Sequence, residues 1–430
     1  MSNLEQSEVL VAGAGPVGML TALILAHNGV KTRLIDQESR TAGHSYSCAL
    51  HPRSLAILQK VGLAADAIEM GRRINSVGFY GENERRAEIK LSELHGEFPF
   101  ALVLEQSALE NLLEQKLRQA EVRINWDHRL SSLEMEDDGV NATIEQLGMS
   151  GKGYGVPGIE TEVKKDFKAR TAFVVGADGS NSLVRTRLGI KFERVGPPQH
   201  YAVFELETPA GCDHEARVVM HNGMTSVLWP LSDTRCRWSF QVDPYEEEDD
   251  FPAKERDRLL VVERPGLNDR EHRFRRLLLE RAPWFQCQVD EVVWTADVQF
   301  HPRLARQLGR KRTYLAGDAA HQTGPVGMQS MNMGFREAAD LAETLTQILR
   351  KGKSADILKT YDREHWLEWW RLLGFKSNST ASDAALEWVR LRSAQIVSSI
   401  PASGADLTTL LKQLNIEFHP ASPPKPAPAH

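Results

Sequence analysis

Cysteine is scarce in this chain. Cys48, Cys212, Cys236 and Cys287 are the four present. They form no CxxC pair and have no metal-ligand spacing, which argues against a disulfide framework or a metal site. A basic excess is missing as well. Fifty-two Lys and Arg stand against 58 Asp and Glu, for a net charge of -6. No surplus cation is present to neutralise a phosphate backbone, so nucleic acid is not an expected partner. Long apolar runs are absent too, and nothing approaches the ~20 residues of a membrane helix. Met1–Glu8 carries acids where a secretory leader carries bases, so no leader is expected. These absences together predict a soluble, cytoplasmic protein without metal. The acidic run Glu246–Asp250 reads as a solvated loop.

What is present begins with size. The 430 residues, 41% hydrophobic and 26% charged, suit a globular enzyme of two domains. Near the N-terminus Val9, Leu10 and Val11 form a short apolar strand, followed at once by Gly13-Ala14-Gly15-Pro16-Val17-Gly18. An apolar helix through Leu20, Leu23, Ile24 and Ala26 stops at Asn28-Gly29, and a second strand, Lys31–Ile35, ends in Asp36. Gly13 permits the tight turn, Gly15 lets backbone approach a pyrophosphate, and Gly18 lets helix pack on strand. The helix N-terminus offers free N–H groups and a positive dipole end to the phosphates. Asp36, about 20 residues beyond the glycines, is placed to bond both hydroxyls of an adenosine ribose. Its charge disfavours a 2′-phosphate, which leaves FAD or NAD open at this segment.

Two further strand-loop segments follow. Phe173-Val174-Val175 runs into Gly176-Ala177-Asp178-Gly179-Ser180-Asn181-Ser182 and then Arg185. Thr313-Tyr314-Leu315-Ala316 runs into Gly317-Asp318-Ala319-Ala320-His321, followed by Pro325, Gly327 and Asn332. A helix comes next, with its apolar stripe on Phe335, Ala338, Ala342, Leu345 and Leu349. These three motifs in this order resemble the flavoprotein aromatic hydroxylases of the para-hydroxybenzoate hydroxylase type, the group A flavin monooxygenases. Leu50-His51-Pro52-Arg53-Ser54-Leu55 and the Gln106 segment before the helix Leu109–Leu117 share in the resemblance.

The resemblance implies an α/β fold: a Rossmann-like FAD-binding domain, a mixed β-sheet substrate domain and C-terminal helices. The expected partition is 1–73, 101–190 and 300–350 for FAD binding, and 74–100 and 191–299 for the substrate sheet. Helices would occupy 351–419, ahead of a disordered proline-rich tail, 420–430. Besides Gly13, Gly15, Gly18 and Asp36, the implied cofactor contacts are Arg53, Gln106, Asp178, Gly179, Asp318, Gly327 and Asn332. Asp318 would bind a ribityl hydroxyl. The peptide around Pro325 would face the flavin where substrate and oxygen meet, which makes it the catalytic-site residue of this reading. A helix starting near Ser330–Met333 would stabilise negative charge on reduced flavin. The implied activity is a monooxygenase using FAD, NADH or NADPH and O2, acting through a C4a-hydroperoxyflavin on an aromatic or electron-rich small molecule. A flavin-dependent halogenase or reductase on the same scaffold, or a non-catalytic flavin-binding protein, are the alternatives. The halogenase WxWxIP segment is absent, since Trp229-Pro230 lacks its flanks.

Departures from the family pattern are Tyr46-Ser47-Cys48, where an Arg is common, and Met328 and Ser330 at frequent glycine positions. The larger side chains of Met328 and Ser330 are expected to narrow the space between flavin and substrate or to alter how the isoalloxazine swings. Strand character at Ile74–Tyr80, Ala87–Leu91, Tyr201–Leu206, Ala216–His221, Ser226–Leu231 and Arg237–Val242, with a turn at Asn222-Gly223, predicts a sheet over the flavin. Tyr201, Met220 and Trp229 are its candidate substrate contacts, with Phe204 and Phe240 as further wall residues. His44, His51, Tyr201 and His321 are the candidates for deprotonating substrate. For His321 a structural role in the turn is favoured, because no partner acid is near in sequence. Glycine-rich Met149–Gly158 reads as a hairpin tip. Helices over Ile357–Trp370 and Ser382–Ser398 carry Trp366, Trp369, Trp370 and Trp388, which predicts packing on the body or a dimer interface. Monomer and homodimer both remain open. Roughly 80 residues after the flavin helix are expected to be too few for the extra C-terminal domain some relatives carry together with the usual capping helices.

Overall fold

The structure, a computed structural model, describes residues 7–41, 49–151, 159–208, 213–243, 261–262, 267–285, 291–373 and 379–418. The acidic run 246–250, the tail 420–430, His44, Tyr46-Ser47-Cys48 and the hairpin tip 152–158 lie outside them.

Val9-Leu10-Val11 and Phe173-Val174-Val175 are apolar at every position, the pattern of strands buried on both faces. They form the centre of a six-stranded sheet in the order Ile124–Asn125, Thr32–Ile35, Val9–Ala12, Phe173–Gly176, Thr313–Leu315, Gly309–Arg310. The first five run parallel and the last is antiparallel. Helix Pro16–His27 packs against helix Gln329–Lys351, burying Met19, Leu20 and Leu23 in one core with Phe335, Ala338 and Leu341. The approach is close at Gly334, where a Cβ would stand 2.7 Å from Val17.

A second sheet has eight strands, in the order Val261–Val262, Glu291–Phe300, Gln199–Glu207, Arg235–Val242, Met224–Pro230, Glu215–His221, Ser76–Gly81, Glu84–Lys90. Its neighbours are antiparallel except Glu215–His221 with Ser76–Gly81, so the sheet is mixed as expected. Asn222 and Gly223 both have positive φ, 47° and 78°, the two-residue turn that matches strand twist. Strand Glu291–Phe300 and helix Leu267–Arg281 were not anticipated from sequence.

Alternation splits this sheet into two faces. Tyr201, Val218, Met220, Val227 and Trp229 share a core with Val326, Met328 and Met333. Ala202, Phe204, Trp238 and Phe240 share another with Phe274 and Phe285, under helix Leu267–Arg281. Phe204 and Phe240 are therefore not wall residues of a substrate pocket: Phe204 lies three positions from Tyr201 and points the opposite way.

Strands His128–Met135, Val140–Gly151 and Ile159–Thr171 form an antiparallel extension, and its last described pair is Gly151 with Ile159. Helix Leu358–Leu372 packs on the body: Trp369 is fully buried, and Trp366 Nε1 donates to Ala305 O at 3.1 Å. Helices Glu387–Ser399 and Gly404–Lys412 complete the C-terminal region with a two-stranded antiparallel pairing of Ser379–Ala381 and Ile416–Phe418, so it is not helical throughout. Among the described residues, no helix is long and apolar enough to cross a membrane.

Candidate functional site

The central strands set the site. Ala12 pairs with Gly176, and Gly176 with Leu315, so three adjacent strands end side by side at their C-terminal ends. The loops that leave them are the three sequence motifs, and ligands bind at such an edge of a parallel sheet. A cleft of about 310 Å³ opens there, walled by Gly15, Gln106, Gly179, Phe300, Asp318 and Pro325 among others.

Each glycine of the first loop has a separate reason. At Gly13, φ is 103° and a Cβ would lie 2.1 Å from the Ala177 carbonyl. At Gly18 a Cβ would lie 1.9 Å from the Gly13 carbonyl. Gly15 has nothing within 4 Å of its Cβ position and faces the cleft, leaving room for a ligand to reach the backbone. Gly15 also precedes helix Pro16–His27, which has no side-chain cap and so leaves its first N–H groups free for an anion.

Asp36 accepts from Ala14 N–H at 2.5 Å and from Glu38 N–H at 2.8 Å, one bond to each oxygen. Further lone pairs remain on both oxygens. Gln106 opens helix Gln106–Gln119 and donates to the buried Glu110 at 2.8 Å. Asp178 is committed inside the protein: it accepts from Ser182 Oγ at 2.5 Å and from the N–H groups of Leu183 and Val184 at 2.8 and 3.0 Å. Burial pushes its pKa up and these bonds oppose the shift. Its geometry shapes the loop, and Gly179 is the neighbour that reaches the cleft wall. Arg185 ties this loop to the third motif through the carbonyls of Ala319 and Ser180, both at 2.8 Å. Burial pushes the Arg185 pKa down to about 10.

Asp318 stands open to the cleft. Ser330 Oγ donates to its Oδ1 at 2.6 Å, and the second oxygen has no partner among the described residues. Desolvation by the cleft walls raises its pKa, against the Ser330 bond and the nearby His321. His321 itself is fully buried, and its Nε2 bonds Glu337 Oε2 at 2.8 Å. A partner acid therefore exists, and sequence reading missed it because Glu337 comes from the following helix. The available signal was a lone Glu in the stripe Gly334, Glu337, Leu341, spaced i, i+3, i+7.

Three expected contacts are corrected by the geometry. Asn332 uses its whole side chain inside the protein. Its Oδ1 accepts from His51 N and Ser54 Oγ, and its Nδ2 donates to the carbonyls of Ala49 and Met328, all at 2.7–2.8 Å. Four bonds exhaust an amide. Gly327 lies behind the wall, where a Cβ would stand 2.3 Å from the Ser398 carbonyl. Arg53, in the first turn of helix Pro52–Lys60, turns toward Asp406 at 3.6 Å and is not among the residues that wall the cleft.

His51 is buried with Nε2 on the Gly327 carbonyl at 2.9 Å, and burial lowers its pKa to about 3. A neutral imidazole held behind the loop does not meet substrate. Tyr201 lies against the wall: its ring is 3.6 Å from where a Gly324 Cβ would be and edge-on to Phe300. Met220 and Trp229 pack in the same apolar cluster as Met328 without reaching the wall. Met328 does reach it, with φ of 50° where glycine would be unstrained.

Residues 6–375 match the FAD binding domain family. The chain belongs to that family. This flavoprotein is 29% identical over 377 residues to 6-methylpretetramide 4-monooxygenase of Streptomyces rimosus, covering 87% of this chain and 62% of that protein. It is 27% identical over 395 residues to para-nitrophenol 4-monooxygenase of Pseudomonas sp. (strain WBC-3), covering 89% and 87%. The chain thus spans about three fifths of the first relative and most of the second. The fold is shared with p-nitrophenol 4-monooxygenase from Pseudomonas putida DLL-E4, at a TM-score of 0.69 and 22% identity over 95% of this chain and 94% of that one. FAD is the cofactor of the flavoprotein, and the open Gly15 backbone and the Asp318 oxygen that has no partner among the described residues fit it.

Proposed function

We propose that this protein is a monooxygenase that uses NADH or NADPH and O2 to place one oxygen atom on an aromatic or similarly electron-rich small molecule. The observation that carries the proposal is the convergence of the three motif loops on one cleft whose far wall is the substrate sheet, at Phe300. The named relatives are monooxygenases, which supports oxygen insertion over halogenation or simple reduction.

Bound FAD supplies hydride acceptance from the nicotinamide cofactor and activation of oxygen. The protein's residues do the rest. Gly15 and the free N–H groups of helix Pro16–His27 hold the pyrophosphate, and Asp36 holds the adenosine ribose. Gln106 and Gly179 border the chain between them, and Asp318 accepts from a sugar-alcohol hydroxyl. The N-terminus of helix Gln329–Lys351, where Ser330 and Met331 wall the cleft, would stabilise negative charge on the bound cofactor. Pro325, Met328 and Phe300 keep water from the reacting face. Tyr201, buried with a pKa raised by desolvation, orients a substrate phenol through its hydroxyl.

The test is a screen of phenols, quinolones and polyketides with FAD, NADH or NADPH and 18O2. Substrate-stimulated NAD(P)H oxidation and a product carrying one 18O atom are expected. Oxidation that yields only hydrogen peroxide with every candidate defeats the proposal.

A further inference from the structure

We infer that Ser330 is a positioning residue, whose hydroxyl holds the Asp318 carboxylate in the orientation that receives the cofactor. The inference rests on Asp318 being a cofactor contact, as proposed above.

Ser330 Oγ lies 2.6 Å from Asp318 Oδ1 and 3.5 Å from His321 Nδ1. Both groups approach one hydroxyl that has a single proton. The short contact to a carboxylate, which has only lone pairs, commits that proton to Asp318. The hydroxyl's own lone pairs are left facing His321.

His321 cannot turn away. Its Nε2 is on Glu337 Oε2 at 2.8 Å, and its face is stacked on Trp369 at 3.8 Å between centroids. Glu337 is pinned in turn, by Gly317 N–H at 2.8 Å and Trp369 Nε1 at 2.7 Å. Neither His321 nor Glu337 has any exposed surface. Burial alone raises the Glu337 pKa, but His321 beside it leads the effects that bring it below its usual value. Nδ1 of this fixed ring stands behind the Ser330 oxygen, and the hydroxyl points outward to Asp318.

Glycine at position 330 lacks this link, so the side chain is more than added bulk in the loop. With Oδ1 held, Asp318 has one fixed oxygen and one oxygen open to the cleft. Without the hydroxyl the carboxylate rotates, and its raised pKa is no longer opposed from that side.

The test is a double-mutant cycle on FAD affinity, read by fluorescence quenching of apoprotein titrated with FAD. Asp318→Ala and Ser330→Ala are measured singly and together, with Ser330→Thr as the conservative variant. Ser330→Ala is expected to weaken FAD binding about tenfold, the size of a hydrogen bond to a charged group. Ser330→Thr should restore affinity to within about twofold. In the Asp318→Ala background, Ser330→Ala should add nothing, because the hydroxyl acts through that carboxylate. If Asp318→Ala leaves affinity unchanged, Asp318 is no cofactor contact and the proposed site fails with it. If Asp318→Ala weakens binding and Ser330→Ala does not, only the positioning role is overturned. That role is equally lost if the Ser330→Ala effect persists undiminished without Asp318.

Discussion

Asn332 Nδ2 donates to the Met328 carbonyl at 2.7 Å, four residues back and just outside the helix that Asn332 belongs to. Met328 sits in the left-handed region with φ of 50°. Single residues with a Cβ adopt that region only when their surroundings impose it. The same amide also fastens Ala49, His51 and Ser54, so one side chain joins the segment 49–54 to the loop before helix Gln329–Lys351. Asn332→Ala should cost on the order of 2–4 kcal/mol, since it strands buried carbonyls and an N–H together. Urea unfolding of the apoprotein measures this. An Ala variant as stable as the wild type means that the amide does not hold the loop.

The glycines of the first loop make opposed predictions. Gly15→Ala meets nothing in the apoprotein, so stability should change by less than about 0.5 kcal/mol. FAD affinity should nevertheless fall on the order of tenfold, because the methyl group occupies the path to the phosphates. Gly18→Ala drives a Cβ into the Gly13 carbonyl and should destabilise the fold by about 1–3 kcal/mol or more, before any cofactor is added. Thermal unfolding with and without FAD separates the two. Equal behaviour of both variants contradicts the division of roles.

The legible and illegible parts of this protein divide along the same line. The surroundings of Gly13, Gly15, Gly18 and Asp36 were legible because strand, turn and helix within one short unit determine them. Strands Val9–Ala12 and Phe173–Gly176 were legible from their uninterrupted apolar residues. Glu337 and His321 are 16 positions apart on separate elements, and their meeting depends on how helix Gln329–Lys351 is rotated. Arg53 and Asn332 lie in motif segments that border the site, yet their side chains point elsewhere. A motif fixes where backbone goes, and side-chain direction is decided by neighbours that are distant in sequence.

His51 gives the stability a pH dependence. Its folded pKa is lowered by burial to about 3, while an unfolded imidazole titrates near ~6.5. The unfolded state therefore binds the proton first as pH falls. The contribution is complete above about 6.5 and is lost progressively from there down toward 3, at up to ~1.4 kcal/mol per pH unit. His51→Gln removes that titration, so its stability should fall less steeply than that of the wild type between pH 6.5 and 4.5. Urea unfolding at a series of pH values gives both slopes. Parallel slopes would show that His51 is not buried as a neutral group.

Tyr201 and Phe204 belong to one strand and should fail in different ways. Phe204 is enclosed with Phe240 and Phe274 on the face away from the cleft, so Phe204→Ala should cost about 3–5 kcal/mol. Surviving protein should keep its substrate KM, since nothing on the cleft side has changed. Tyr201→Phe removes only a hydroxyl that has no partner among the described residues, so stability should shift by less than about 1 kcal/mol. If that hydroxyl orients a phenol, kcat/KM should drop by about 10- to 100-fold. The comparison has force because both side chains are aromatic, buried and three positions apart. A loss of stability at Tyr201 with turnover intact would make it plain core, and the orienting group would then have to come from outside this cleft wall.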